Sequence, residues 1–242
     1  AQGKSTLMEA IYILAIGKSF RANNESEVVN WDASNRREST IIDGRAETTD
    51  SILRIIIGYD SLTRDVPRSN IQQDALSPIT RRHIKINGIS QPISELVGQL
   101  NAVLFSAEDI DLVTGSPSVR RRYLDILISQ IDRSYLRTLG SYQHTLIQRN
   151  RLLKLISAGR ATKEELHFWN QQLVKEGTSV LRKRVSTVET LKELSRKNHQ
   201  ELTGGSEDLS IKYLSSFPIP QDITQIDNIF NSTLEDNYQK DI

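Results

Sequence analysis

The chain contains no cysteine. Disulfides and thiolate-held metal sites are therefore excluded, and a reducing, cytoplasmic setting is compatible with the composition. No apolar run approaches the roughly 20 residues of a membrane span, and no signal peptide is visible. Internal repeats and low-complexity tracts are also missing. What remains is a chain of 242 residues, 25% charged, long enough for one large domain or two lobes. It does not begin with Met, and it is read as an internal piece of a longer protein.

The opening, AQGKSTLMEAIYILAIGKSF, holds half of a pattern. Gly3-Lys4-Ser5 matches the end of the phosphate-binding loop G-x-x-x-x-G-K-[S/T], whose first glycine would precede Ala1. The chemistry explains the residue types. Glycine lets successive backbone N–H groups curl closely around a phosphate. Lys4 would reach the outer phosphates, and Ser5 would offer its hydroxyl to Mg²⁺. A helix must start here so that its positive end faces the same anion. Leu7, Ile11 and Leu14 recur at helical spacing, and Ile16-Gly17 reads as the helix end. An ordinary capped helix with a lysine in its first turn would read the same way.

The formal net charge of +1 conceals a strong asymmetry. Residues 1–115 carry −3, residues 116–200 carry +10, and residues 201–242 carry −6. A basic middle between acidic flanks points to a local polyanion partner, or to a long solvated helical face.

Residues 1–115 read as mixed α and β, with strands expected at 40–42, 52–57, 83–86 and 102–106. Asn87-Gly88 between apolar flanks is a hairpin turn. Residues 67–78 are polar and read as a loop. Ser116-Pro117 then opens a helical stretch, because serine caps well and proline suits the first helical position. Three helices are expected up to about residue 200, the third long, followed by a break at LTGGS, a strand at 209–214 and a helical end. Trp31, Trp169 and most tyrosines, Tyr123 and Tyr142 included, read as core or interface rather than base-stacking groups.

Two motif-like stretches carry little. Val103-Leu104-Phe105 followed by Glu108-Asp109 resembles a Walker B strand, but the acids come two residues late for a strand end. Leu202-Thr203-Gly204-Gly205-Ser206 resembles an ABC-ATPase signature, but a strand pattern follows within a few residues, so a glycine turn is expected.

Four blocks taken together resemble the bacterial RecF family of DNA replication and repair proteins: AQGKSTLMEAIYILAIGKSFR, QLNAVLFSAEDIDLVTGSPSVRRRYLDILISQ, SYQHTLIQRNRLLK and FWNQQLVKEG. The resemblance implies an α/β fold, the P-loop ABC-type ATPase head lobe with an inserted helical lobe of SMC-like proteins, here truncated at both ends. It implies an ATP-binding lobe at 1–115, a basic helical lobe at 116–205, and a strand and helix at 206–242 leading back to the rest of the head. It further implies Mg-ATP binding, ATP-dependent dimerisation, slow DNA-dependent ATP hydrolysis, and binding to single-stranded, gapped or junction DNA. RecO and RecR would be partners in loading recombinase, with a link to SOS induction. The nucleotide residues carried over are Ala1, Gln2, Gly3, Lys4, Ser5 and Thr6, with Ser5 toward Mg²⁺. Arg21, in the stretch after the first helix, is a candidate for coupling nucleotide to DNA. Glu108 and Asp109 lie near the expected γ-phosphate-sensing region.

The basic stretch supplies further DNA candidates: Arg120, Arg121, Arg122, Arg149, Arg151, Arg182, Lys183 and Arg184. Three consecutive arginines sit roughly 100° apart on a helix and cannot share one face. Contacts of this kind give phosphate affinity without a base code. The signature and Walker B acids would lie past Ile242. The chain as it stands is therefore expected to bind nucleotide weakly at most and to hold no catalytic residue. A P-loop enzyme of another sort, such as a small-molecule kinase using Glu108 or Asp109, is the alternative, and a DNA clamp in which ATP only switches shape is a third reading.

Overall fold

The structure, a computed structural model, describes residues 3–22, 24–29, 39–47, 49, 51–62, 79–220 and 222–242. Trp31 and the polar loop expected at 67–78 lie outside these. Two compact units emerge, Ala1–Ser116 and Pro117–Ile242.

The first unit begins with α1, Lys4–Ile16, which ends at Gly17. Gly17 has φ 76, and its amide closes the helix on the Ile13 carbonyl at 2.7 Å. A side chain there would also strike Ile93 and Leu96, so glycine is required twice over. Four strands follow in a fully antiparallel sheet of order β1-β2-β3-β4: β1 Thr40–Glu47, β2 Ile52–Leu62, β3 Ile79–Ile86 and β4 Ile89–Ser90. Asn87 and Gly88, at φ 49 and 85, make the expected hairpin turn between the last two.

β1 runs well past the apolar stretch that marks it in the sequence. Its residues alternate between the covered and the open face, so Asp43, Arg45 and Glu47 point outward while Ile42, Gly44 and Ala46 point in. Gly44 stands where Leu14 of α1 presses on the sheet, since a Cβ would come within 2.4 Å of that side chain. Ile55, Ile57, Tyr59 and Ile84 form the inner face, and Ile13 and Leu14 of α1 close over it.

The strand expected at 102–106 does not form. Among the described residues no strand lies beside it to complete a ladder, and Val103 and Phe105 stay exposed. A short 3-10 turn, Ala107–Ile110, and one helical turn, Asp111–Thr114, follow.

The second unit is built on three long helices: α2 Pro117–Ile131, α3 Arg133–Ser157 and α4 Leu166–Leu202. A single residue separates the first two. Asp132 caps α3 by accepting from the Ser134 and Tyr135 amides at 2.9 and 3.1 Å. Leu124, Ile128, Tyr135, Leu139, Val180 and Val188 form the main core, and Leu152, Leu153 and Leu166 a second one. Trp169 packs against the latter, and Tyr142 against the former. α4 ends at the glycine turn, with Gly204 and Gly205 at φ 61 and 79.

Residues 209–214, expected as a strand, join no sheet among the described residues. Their alternation is nonetheless expressed, because Ile211 and Tyr213 lie on the helical core while Lys212 and Leu214 face outward. A further helix, α5 Ile226–Asp236, packs on α4, and one helical turn, Tyr238–Asp241, follows it. Residues 206–242 fall in the same compact unit as the helices.

Gly177 marks the closest approach of α4 and α5. A Cβ there would meet Phe230 at 2.5 Å and Tyr142 at 3.1 Å, and Phe230 is itself stacked on Phe217 at 5.0 Å. Gly177→Ala is expected to destabilise the helical unit by about 1–3 kcal/mol through overpacking, despite alanine's better helix propensity. Urea unfolding followed by Trp169 fluorescence checks this. An unchanged midpoint would mean that Phe230 yields freely.

Candidate functional site

The phosphate-loop residues meet at the start of α1. Gly3 has φ 100, a left-handed conformation that glycine adopts without a side-chain penalty. Its carbonyl accepts from the Leu7 amide at 2.9 Å and starts the helix. Among the described residues no side chain caps this end, and no acid stands in the first turn. The amides of the first turn are the ones a helix leaves unsatisfied, and the dipole adds partial positive charge there. Lys4, Ser5 and Thr6 are all exposed. Donor amides, an ammonium and a hydroxyl thus share one open helix end, a donor set that suits a polyphosphate and its Mg²⁺. Ala1 and Gln2 lie outside the described residues.

The stretch after α1 is tightly organised. Ser19 is buried, and its hydroxyl donates to Glu9 of α1. The same oxygen accepts from the Arg21 amide at 2.9 Å and the Ala22 amide at 2.8 Å. The half-exposed Arg21 guanidinium lies 3.7 Å from Glu9. From the sheet side, Arg82 donates to the Gly17 carbonyl at 2.5 Å and pairs with Glu25 at 2.8 Å. Arg82 also lies against Tyr59, whose phenol burial holds above its ordinary range. Sequence reading singles out Arg21 and misses Glu9, Ser19, Glu25 and Arg82. The Ser19–Glu9 and Arg82–Gly17 bonds span 10 and 65 positions, and no local pattern announces them.

Glu108 and Asp109 are not poised as catalytic acids. Asp109 accepts from the Ser106 amide at 2.6 Å in a reciprocal capping box, and Glu108 is exposed.

The basic candidates of the helical unit separate into three groups. Arg120, Arg121, Arg122 and Arg151 have exposed side chains. Arg182 and Lys183 are partly exposed but answered by carboxylates, Asp227 at 3.8 Å and Asp132 at 2.7 Å. Arg149 and Arg184 face inward, which corrects the expectation that they add to a phosphate-binding surface. Arg149 is buried, donating to Asn170 at 2.8 Å and Asp241 at 2.9 Å. Arg184 grips Asp125 with two bonds of 2.8 Å, and the Tyr135 hydroxyl donates to the same carboxylate. Burial opposes the Arg184 charge, but Asp125 outweighs it and the guanidinium is held above its ordinary value. Burial, then the bond to Asp125, pushes the Tyr135 phenol well up. Charge count along the chain could not distinguish these arginines from the exposed ones, because their partners Asn170, Asp241 and Asp125 come from other helices.

Asp132 links this surface to stability. Lys183 first, then the Ser134 hydroxyl, holds its carboxyl far below the usual range. A depressed carboxyl contributes stability that is present above its unfolded value near pH 4 and is lost as pH falls through the folded one. Asp132→Ala is expected to cost about 1–2 kcal/mol through the lost cap, and Asp132→Asn less. Both should flatten the acid limb of a stability–pH curve below about pH 4. An acid limb identical to that of the parent protein would remove Asp132 from this role.

Comparison with known proteins follows from this geometry. No family model matches the chain. The DNA replication and repair protein RecF of Herpetosiphon aurantiacus is 37% identical over 227 residues, covering 90% of this chain and 57% of that protein. RecF of Bacillus cytotoxicus is 32% identical over 244 residues, covering 100% of this chain and 60% of its relative. A solved structure of the recombination mediator protein RecF-ATPrS in the RecFOR pathway superposes with a TM-score of 0.83 at 30% identity, over 100% of this chain and 60% of that one. The chain is a homologue of RecF. A second structure, RecF-ATP in the same pathway, gives a TM-score of 0.81 over 99% of the chain. The chain spans about 60% of the length of the RecF proteins it matches. Its α/β fold, a P-loop ABC-type ATPase head carrying a helical lobe, agrees with these RecF structures. Among the described residues no helix is long and apolar enough to cross a membrane.

Proposed function

We propose that the complete protein carrying this chain binds Mg-ATP and DNA in recombinational repair and replication-fork maintenance. The observation that carries this reading is the open, uncapped start of α1, with Gly3 left-handed and Lys4 and Ser5 exposed, in a chain that matches RecF-ATP structures over its length. In this reading Lys4 neutralises the outer phosphates, Ser5 faces Mg²⁺, and the first-turn amides hold the phosphate between them. ATP supplies the energy of a shape change, and dimerisation around it is the means. Single-stranded or gapped DNA meets the outward arginines Arg120, Arg121, Arg122 and Arg151, with affinity that falls steeply with salt. RecO and RecR are the proposed partners, with recombinase loading and support of SOS induction as the outcome in the cytoplasm. Hydrolysis belongs to the complete protein and is slow. The kinase-like alternative would have to rest on Glu108, since Asp109 is engaged as a cap.

Sedimentation velocity of the complete protein on gapped duplex DNA, with and without Mg-ATP, tests the proposal. An ATP-dependent monomer-to-dimer shift on DNA is expected. A protein that binds ATP yet stays monomeric and ignores DNA would overturn it.

A further inference from the structure

We propose that Glu9 and Ser19 are positioning residues that carry the state of the phosphate loop to Arg21. The inference rests on the nucleotide-binding reading above and names how that site would be read out. Ser5 and Glu9 are four residues apart on α1, so their side chains stand one above the other on the same face, one turn apart. Glu9 is the next rung below the hydroxyl assigned to the metal. Its carboxylate accepts from Ser19, and that same hydroxyl accepts both the Arg21 and Ala22 amides. The buried Ser19 hydroxyl thus donates one bond and accepts two. The guanidinium of Arg21 returns to Glu9 at 3.7 Å and remains half exposed. Glu9, Ser19 and Arg21 therefore form a closed loop of contacts, one helical turn below Ser5.

The frame around it is fixed separately. Arg82 holds the Gly17 carbonyl and Glu25, so both ends of the segment are pinned to the sheet. Between those pins, residues 18–22 attach to α1 at two places: polar contacts run through Glu9, and the Phe20 ring meets Tyr12 edge-on at 5.7 Å. Of these, only the Glu9–Ser19 bond continues to the Arg21 and Ala22 amides, so a shift or stiffening of the first turns of α1 on binding a polyphosphate would reach the Arg21 backbone through Ser19. A purely structural role for Ser19 predicts something different, namely loss of stability with no dependence on ligand.

Hydrogen–deuterium exchange of the complete protein, with and without Mg-ATP, separates the two. In the parent protein Mg-ATP is expected to slow exchange both at residues 3–8 and at residues 18–22. In Ser19→Ala nucleotide affinity and the protection of 3–8 stay as in the parent, while the protection of 18–22 falls by about tenfold, the loss of roughly one buried hydrogen bond. Glu9→Gln keeps an acceptor for Ser19 and should retain most of that protection, which makes it the conservative rescue beside Glu9→Ala. If 3–8 responds to Mg-ATP and 18–22 does not, or if Ser19→Ala responds like the parent, the positioning role is wrong and the nucleotide site stands. If neither segment of the parent responds, the nucleotide reading falls and this inference falls with it.

Discussion

Asp125→Ala is expected to destabilise the helical unit by about 3–5 kcal/mol, the usual cost of stripping a buried charge of its partner. Arg184 is largely covered, and its two 2.8 Å bonds to Asp125 are what make that burial tolerable. The Tyr135 hydroxyl would lose its acceptor at the same time. The three residues come from α2, α3 and α4, so the loss falls on the seam where all three helices meet. A typical domain is stable by only about 5–15 kcal/mol, and a loss of this size would leave the unit marginal near 37 °C. Chemical denaturation read through Trp169, in a Trp31→Phe background, measures it. Replacing Asp125 and Arg184 together by leucine and methionine should recover most of the loss, since apolar substitutes remove the desolvation cost along with the attraction. Equal instability of the single and the double variant would show that packing, not the unpaired charge, sets the effect.

Lys4→Ala is expected to weaken Mg-ATP binding by the complete protein by about 10- to 150-fold, the range for losing a hydrogen bond to a charged group. Stability should stay within about 0.5 kcal/mol of the parent, because Lys4 is exposed at the first position of α1 and is no part of the core cluster of its unit. Isothermal titration with the nucleotide gives the first number, and thermal unfolding without ligand the second. Unchanged affinity would remove α1 from the nucleotide site. A large fall in stability would instead make Lys4 a structural residue.

The two results would bear on different parts of what a sequence can convey. Elements defined by neighbours in the chain were readable. The 3.6-residue periodicity of α1, α2, α3 and α4, the proline at the head of α2, and Asn87-Gly88 in its hairpin each depend on contacts within a few positions. The strand expected at 102–106 failed for the opposite reason. An apolar run becomes a strand only when another strand lies beside it, and none does among the described residues. β1 was underestimated because a half-open sheet permits Asp43, Arg45 and Glu47 on its outer face, and these interrupt the apolar signal.

The same division runs through the site. Residue order alone determined the phosphate-loop half at Gly3, Lys4 and Ser5 and the helix it opens, because that chemistry is built from consecutive backbone amides. Charge order along the chain placed the basic stretch in the helical unit. Only the tertiary structure decided which arginines face water. Arg149 and Arg184 read like Arg120 and Arg151 in the sequence, yet Asp241 and Asp125 approach from distant positions and draw them inward. Only the fold, again, brought Ser19 and Arg21 back onto Glu9 and set Arg82 against Gly17. Contacts between distant positions depend on how the elements pack, and packing is a property of the folded chain as a whole, not of any stretch within it.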